Sequence, residues 1–500
     1  MKRLKKVLCI MTAAALCAAL TGCGQRAAAA DEETFALIAQ TQSVSDEETP
    51  AADVTVTLAD GASRSDGGGV SIEGDAVTIT AEGTYRLTGT LTDGRVCVDA
   101  PDAKVTLLFD GASVTSEGGA AVYVADADRV TLFLAEGSEN VLASEGEFSD
   151  PEEKVDAAVF AKDDLTIRGS GALAVTSESG HGVVSKNDLK IKNGTITVTA
   201  AKKGLVGDDS VEIEGGAVTV TAGTDAVHAE NEEDPSKGTV TVSGGTLTLD
   251  AGNDGIDASG GVLIEGGAVR ITSGSAMGRT ESGKGVKSKQ AVTITDGALA
   301  ISAKDDGIHS DAGVTVTGGQ IAVASGDDAI HALTMLQIDG CEIALSAAEG
   351  LEATCVKING GTIAIKATDD GINAAHKSDA MTPCVEINGG DITIEMGAGD
   401  TDGVDSNGNI IINGGTVRVS GSSGFDYDGT ARLNGGTVIV NGEQVESIPN
   451  QFMGGFGGWG GQNSGEGAWP RNRNGQNPDG SGMPEGFGGF GGWGGRGGKG

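Results

Sequence analysis

Cysteine, aromatic residues and the common catalytic motifs are all scarce in this chain. Only 7 of its 500 residues are cysteine, so the sequence is not a disulfide-rich scaffold. Aromatic residues make up 3% of the chain, which is too little for a conventional globular core. There is no CxxC pair, no Cys/His zinc spacing, no GxSxG and no Walker sequence, so the enzymes that depend on these motifs are excluded.

Basic residues are scarce relative to acidic ones. The chain has 34 Lys and Arg against 71 Asp and Glu, a formal net charge of -37, and no basic domain. Nucleic acids and anionic lipids are therefore poor partners, because they bind basic surfaces. Carboxylates in this excess repel one another unless cations neutralise them, and calcium is the first candidate outside a cell.

A hydrophobic run long enough to span a membrane is missing from the N-terminal segment. Four basic residues within positions 2–6 precede an apolar run at 7–20, which is shorter than the ~20 residues of a spanning helix. This order is typical of an export signal, and Leu20-Thr21-Gly22-Cys23 resembles a bacterial lipobox. We therefore expect lipidation of Cys23 and a protein anchored to the outer face of the cell membrane. An ordinary signal-peptidase site among residues 27–30 is the alternative, and it also exports the chain.

Glycine is abundant, with 84 residues, and much of it belongs to a repeat. The repeat is clearest at residues 305–326, DDGIHSDAGVTVTGGQIAVASG, where three short alternating segments predict strands separated by glycine-rich corners. The small residue that opens the first strand recurs every 21 or 22 residues, with three longer intervals of 29, 30 and 32. It is found at Gly182, Gly204, Ala226, Gly255, Gly285, Gly307, Ala329, Gly350, Gly371, Gly403 and Gly424. This period predicts one coil per repeat, with the extra residues in loops.

The predicted fold is all-β, a right-handed parallel β-helix of about 13 coils around a Val/Ile/Ala core. We expect the chain to be a monomer with five segments. They are a lipoprotein signal peptide at 1–22, a flexible tether at 23–52, an N-terminal β cap at 53–118, the β-helix at 119–446, and a disordered tail rich in Gly, Trp and Phe at 447–500.

Because coils stack in register, equivalent residues form columns along the rod. The turn column, directly before the small residue, contains Asp225, Asp254, Lys284, Asp306, Asp328, Glu349, Asp370 and Asp402. The strand column, three residues later, contains His228, Asp257, Lys287, His309, His331, Glu352, Asn373, Asp405 and Asp426. A second carboxylate precedes three turn-column positions, at Asp305, Asp327 and Asp369.

An Asp before a Gly also suits a turn, which explains single positions but not a column. Four successive acids spaced by ~4.8 Å repel by about 3 kcal/mol per neighbouring pair at an effective dielectric of about 20. They are Asp306, Asp328, Glu349 and Asp370, and we expect no base between them. We therefore predict that the acids of the turn column and the three preceding carboxylates hold calcium.

The strand column, together with Lys284 of the turn column, is the predicted contact surface for a ligand. The predicted contacts are Asp257, Lys284, Lys287, His309, His331, Glu352, Asn373 and Asp405. The longer intervals place loops at 230–237, 275–282 and 376–383 beside the columns, where they are expected to wall an elongated groove. Such a groove suits a linear polymer better than a small molecule.

Residues 79–124, ITAEGTYRLTGTLTDGRVCVDAPDAKVTLLFDGASVTSEGGAAVYV, followed by coils of the DDGI type, resemble the clostridial family of cell-surface carbohydrate-binding β-helix proteins. The resemblance covers about residues 53–445. It implies a right-handed β-helix, related in architecture to pectate lyases, that binds acidic plant polysaccharide of the pectin type, and also cellulose, with calcium along the helix. We expect the protein to bind such a polysaccharide without cleaving it. Lys203, Lys284 and Lys287 occupy positions where acids are expected, so metal at those coils is in doubt.

Two other functions stay open from the sequence. A calcium-dependent pectate lyase needs a basic residue to remove a proton next to the uronate carboxylate, and Lys284 and Lys287 are the only candidates for that base. A structural surface adhesin without a glycan ligand is the third possibility, because the repeats have few aromatic residues on which sugars stack. They are Tyr123, Phe160, Phe425 and Tyr427.

Two cysteines test the predicted register. Cys355 and Cys384 each lie five residues before the first glycine of an NGG corner, in CVKINGG and CVEINGG. They should therefore be neighbours on consecutive coils, at a spacing of ~4.8 Å that permits a disulfide.

Overall fold

The computed structural model describes residues 47–148, 155–275, 283–399 and 401–450. These ranges contain forty-five strands and no α-helix, which confirms the all-β prediction. No helix in them has the length and apolarity needed to cross a membrane. The predicted signal peptide, Cys23, most of the predicted tether and most of the predicted tail lie outside the described residues.

Most strands are three to six residues long. The first fifteen are β1 (Val54–Ala59), β2 (Arg64–Ser65), β3 (Val70–Glu73), β4 (Ala76–Ile79), β5 (Gly83–Leu91), β6 (Arg95–Asp99), β7 (Lys104–Glu117), β8 (Val122–Asp126), β9 (Arg129–Leu134), β10 (Glu139–Glu145), β11 (Ala157–Ala161), β12 (Asp164–Gly169), β13 (Ala172–Ser177), β14 (His181–Ser185) and β15 (Asp188–Ile191). The next fifteen are β16 (Thr195–Ala200), β17 (Leu205–Gly207), β18 (Ser210–Ile213), β19 (Ala217–Ala222), β20 (Val227–Ala229), β21 (Thr239–Val242), β22 (Thr246–Ala251), β23 (Ile256–Ala258), β24 (Val262–Ile264), β25 (Ala268–Thr272), β26 (Val286–Ser288), β27 (Val292–Ile294), β28 (Ala298–Ala303), β29 (Ile308–Ser310) and β30 (Val314–Val316). The last fifteen are β31 (Gln320–Ser325), β32 (Asp328–Ile338), β33 (Glu342–Ala347), β34 (Glu349–Ile358), β35 (Thr362–Ala367), β36 (Asp370–Ala374), β37 (Cys384–Ile387), β38 (Asp391–Met396), β39 (Asp402–Ser406), β40 (Asn409–Ile412), β41 (Thr416–Ser420), β42 (Ser423–Tyr427), β43 (Ala431–Leu433), β44 (Thr437–Val440) and β45 (Glu443–Val445).

Each strand of a coil pairs in parallel with the equivalent strand of the next coil. In the coil formed by β29, β30 and β31, β29 pairs with the start of β32, β30 with its end, and β31 with β33. Three parallel sheets therefore run along the described chain, which confirms a parallel β-helix. One of them, here called the site sheet, carries both columns. It consists of β8, β11, β14, β17, β20, β23, β26, β29, the starts of β32 and β34, β36, β39 and β42.

Alternate residues of each strand fill one continuous core. Ile308, Val314 and Val316 are fully buried and Ile321 is 2% exposed, whereas the alternate residues His309, Thr315 and Ala322 are only partly buried. A fully buried side chain of this size stabilises the fold by about 1.5–3 kcal/mol. Since one coil alone buries little, this stabilisation depends on stacking, and the inner face of the site sheet belongs to this core.

The segment predicted as a cap, 53–118, contains coils of the same kind. β1 pairs in parallel with β5, β4 with β6, and β5 with β7. Two short antiparallel ladders, β1–β2 and β3–β4, accompany these parallel strands. The parallel stack therefore begins at Val54, earlier than the regular repeat in the sequence.

The corners and the cysteine pair both fit the predicted register. In the NGG corners the second glycine has a positive φ, 104° at Gly361 and 98° at Gly390, which residues with a Cβ rarely adopt. Cys355 and Cys384 are register partners on β34 and β37, with Cα atoms 4.6 Å apart, and form a disulfide. The prediction that they are neighbours on consecutive coils is confirmed.

Candidate functional site

Both columns run along the site sheet as the repeat predicted. In the strand column, His228 is the register partner of Asp257, which in turn pairs with Lys287, and the series continues without a slip to Asp426. In the turn column, Asp328 pairs with Glu349 and Asp370 with Asp402. The structure thus brings the predicted site residues together on one face of the rod, and their roles stay predictions.

Two lysines neutralise acidic side chains of the coils around residues 254–306. Lys284 Nζ lies 2.8 Å from Asp305 Oδ2 and 2.5 Å from Asp306 Oδ2. Lys287 Nζ lies 3.2 Å from Asp254 Oδ2 and 3.4 Å from Asp257 Oδ1. Burial acts to lower the pKa of each lysine, but the surrounding carboxylates outweigh it and raise both pKa values. These lysines are therefore positively charged partners of the acids.

His309 and His331 stack on consecutive coils, with ring centroids 4.6 Å apart and planes 8° from parallel. His309 Nδ1 lies 2.7 Å from Asp306 Oδ2, while His331 Nδ1 lies 2.8 Å from Asp328 Oδ2. His331 Nδ1 is also 2.7 Å from Glu352 Oε2. Burial acts to lower the pKa of His331, but these two carboxylates raise it to about 9.

The expectation that no base lies between the acids at 306 and 370 is wrong for the first part of that run. Burial acts to raise the pKa of Asp306, yet hydrogen bonds from His309 and Lys284 lower it to about 2. Asp328 is paired with His331. The reason is the three-residue offset between the columns, which places a strand-column histidine against the acid of its own coil.

The coils after Glu349 differ, because acids there face acids. Burial, with repulsion from Glu352, raises the pKa of Glu349 to about 8. Burial, with repulsion from Asp405, raises the pKa of Asp370 to about 7. The pKa of Asp405 is raised to about 6 by burial and then by repulsion from Asp426. We call this part of the two columns the acidic end, comprising Glu349, Asp370, Asn373, Asp402, Asp405 and Asp426.

The acidic end has the donors that calcium prefers. Asn373 is 8% exposed, and its Nδ2 donates to Glu349 Oε2 at 3.0 Å. Its Oδ1 is buried and accepts no hydrogen bond from any described residue. A buried amide oxygen among carboxylates is typical of a calcium ligand set, since calcium takes six to eight oxygens. The residues of the acidic end are therefore of the kind that calcium takes as ligands, whereas at Asp254 and Asp306 lysines lie against the carboxylates.

The three carboxylates that precede turn-column positions, Asp305, Asp327 and Asp369, differ in their surroundings. Asp305 is bound by Lys284, and Asp305, Asp306 and Asp327 each place an oxygen within 4.8 Å of the others. Burial, followed by repulsion from Asp306, raises the pKa of the exposed Asp327. Asp369 adds its repulsion to Asp370. Asp369 therefore extends the acidic end, while Asp305 does not.

The sequence did not predict that the strand column continues toward the N-terminus as apolar residues. Tyr123, Phe160, Val184 and Val206 are successive register partners ahead of His228, and they are 4–8% exposed. Irregular coil lengths hid the alignment of Tyr123 and Phe160, whereas the regular spacing of Gly182, Gly204 and Ala226 already placed Val184 and Val206 in line with His228. Of the other aromatic candidates, Phe425 is fully buried in the core and offers no face to a sugar.

A groove of about 910 Å³ lies along this N-terminal part of the site sheet. Its floor includes Phe160, Val184 and Val206, and the 230–237 loop forms part of its wall. The 376–383 loop also reaches the columns, since Lys377 Nζ lies 2.5 Å from Glu352 Oε1. Most of the 275–282 loop lies outside the described residues.

Comparison with known proteins identifies the family of the chain that carries this face. The family described as "Carbohydrate-binding domain-containing protein" matches residues 73–329 and 327–445, well over half of the chain. The chain belongs to this carbohydrate-binding family. Its matched residues include every strand of the site sheet.

Two known proteins are similar to this carbohydrate-binding protein. A "Carbohydrate-binding domain-containing protein" of Acetivibrio thermocellus is 39% identical over 136 residues, 26% of this chain and 48% of the relative. The matched region thus spans about half the length of that curated relative. A solved structure, "polysaccharide lyase-like protein from C. thermocellum, Gadolinium derivative", is 28% identical and covers 58% of this chain and 96% of its own, with a TM-score of 0.41.

Proposed function

We propose that this carbohydrate-binding protein binds an acidic polysaccharide of the pectin type through calcium ions held at the acidic end. The observation that carries the proposal is the run of acids facing acids, in which Glu349, Asp370 and Asp405 all have raised pKa values. Each is surrounded mainly by negative charge, which a divalent cation offsets. A bound ion with remaining coordination positions bridges the protein carboxylates to a uronate carboxylate.

The protonation state of Lys284 and Lys287 favours polysaccharide binding over cleavage. A lyase base has to be unprotonated near neutral pH, which requires a lowered pKa. The pKa values of Lys284 and Lys287 are raised, and each ammonium group is held by two carboxylates. We therefore propose a non-catalytic role.

Incubation with polygalacturonate and calcium tests both statements. The expected result is pull-down with the polymer, no pull-down with a neutral glycan such as dextran, and no absorbance from unsaturated product. Appearance of unsaturated product that Lys287→Gln abolishes would establish a lyase instead. Absence of both pull-down and product would leave the surface adhesin.

We further propose that the protein is exported and held at the cell surface by a lipid on Cys23. The support is the sequence around that residue, LTGCGQ, behind a basic and apolar leader. Labelled palmitate should be incorporated into the wild type and not into Cys23→Ser, which should also leave the membrane fraction. Labelling of Cys23→Ser to the wild-type level would contradict the assignment.

A further inference from the structure

One histidine of the strand column is held differently from the two that stack. His228 lies on β20 between Asp225 of its own coil and Asp257 of the next, and it is 5% exposed. Its Nδ1 lies 3.3 Å from Asp225 Oδ2 and 3.3 Å from Asp257 Oδ2. This nitrogen is buried and forms no hydrogen bond with any described residue.

The other two histidines provide an internal comparison. His309 and His331 face acids at the same offset with Nδ1 to oxygen distances of 2.7 and 2.8 Å, the length of a charge-assisted hydrogen bond. The separations of 3.3 Å around His228 are longer than these bonds. They match the distance between two ligands of one tetrahedral ion, since metal–ligand bonds of about 2.0–2.1 Å place neighbouring ligands about 3.3 Å apart.

The composition of this cluster indicates the class of ion. Two carboxylates balance a divalent charge, and an imidazole nitrogen favours zinc and neighbouring transition metals over calcium, which takes oxygen ligands. The three ligand atoms lie within 4.8 Å of one another. His228 also borders the groove of about 910 Å³, which leaves room for water at a fourth position.

The second nitrogen of the ring has the partner that a metal-bound histidine needs. His228 Nε2 lies 3.3 Å from Glu230 Oε2, and a metal-bound imidazole usually donates its other N–H to such a carboxylate. Lys203 Nζ lies 2.6 Å from the same Nε2. An ion at Nδ1 requires the ring proton on Nε2, where it faces Glu230, so Lys203 then has to turn to Asp225, whose Oδ2 lies 3.9 Å from its Nζ.

We propose that Asp225, His228 and Asp257 form a site for one divalent ion of the zinc class, separate from the calcium sites of the acidic end. The site stands at the point where the strand column changes from apolar to charged residues. None of its three protein ligands belongs to the acidic end.

Cobalt, which reports tetrahedral coordination by intense visible absorption, is the probe. The full chain is titrated with cobalt in excess calcium, so that the sites made of oxygen ligands are filled. The wild type should bind one cobalt per chain with a tetrahedral spectrum, and zinc should displace it. His228→Asn should lose this spectrum, whereas the matched variant His331→Asn should keep it.

A second variant protects the test against misfolding. Glu230→Gln changes a half-exposed residue and should weaken cobalt binding about 10–100-fold while melting like the wild type. Wild-type protein without tetrahedral cobalt overturns the proposal. So does tetrahedral binding that survives in His228→Asn, or that is lost equally in His331→Asn.

Discussion

Replacing Asp370 and Asp405 together by asparagine should abolish the stabilisation of this protein by calcium. Calcium that binds the folded acidic end and not the unfolded chain stabilises the fold by about 2.7 kcal/mol per site at 100 times the dissociation constant. The double variant removes two charged ligands and should show almost no shift in melting temperature on adding calcium. In chelator it should melt above the wild type, because two repelling carboxylates are gone.

Melting curves in chelator and in calcium, recorded on both proteins, provide the measurement. Glu265→Gln is the matched control, since it removes an exposed carboxylate in the corner between β24 and β25, away from both columns. It should keep the full calcium shift. A wild type whose two midpoints coincide would rule out structural calcium on the site sheet.

Without calcium, the protein should become less stable as the pH rises from about 5 to about 8.5. The pKa values of Asp405, Asp370 and Glu349 are raised to about 6, 7 and 8. An acid whose pKa is higher in the folded than in the unfolded state contributes stability below its unfolded pKa, and this is lost as the pH rises through the folded value. His331, with a pKa of about 9, acts in the same direction up to that pH.

A different pair of acids sets the lower pH limit of the stable range. The pKa values of Asp306 and Glu352 are lowered to about 2, because their basic partners outweigh burial. Their stabilisation is present above the unfolded pKa of about 4 and is lost as the pH falls toward 2. Urea unfolding in chelator across this range should therefore give a maximum near pH 4–6. Above this pH, the free energy of unfolding should fall less steeply for the Asp370/Asp405 double variant than for the wild type. An unchanged slope would show that these two acids do not cause the loss of stability.

The sequence was sufficient to predict the coil and its register. The small residue that recurs every 21 or 22 positions determines which side chains stack, and the Cys355–Cys384 pair and the unbroken strand column confirm it. The period did not predict that the site sheet divides into coils whose acids are neutralised by basic partners and the acidic end, where they are not. Whether an acid is neutralised depends on the direction of its side chain, and the contact of Asp306 with His309 across the column offset is set by local rotamers.

The apolar start of the strand column was missed for another reason. Ala121 and Ala158 were candidate earlier members of the repeat, but they are 37 residues apart in the sequence, so the period alone did not establish that Tyr123 aligns with Phe160. Parallel pairing of β8 with β11 makes them neighbours. The special position of His228 was equally hidden, because three histidines at one repeat position look alike until their distances to oxygen are known.

The calcium dependence of polygalacturonate binding tests the central claim most directly. Binding isotherms in calcium and in chelator should be measured for the wild type, for the Asp370/Asp405 double asparagine variant and for Glu265→Gln. We expect the wild type and Glu265→Gln to bind in calcium only, and the double variant to bind in neither condition. Wild-type binding that persists in chelator, or a double variant that binds as the wild type does, would contradict a calcium bridge at the acidic end.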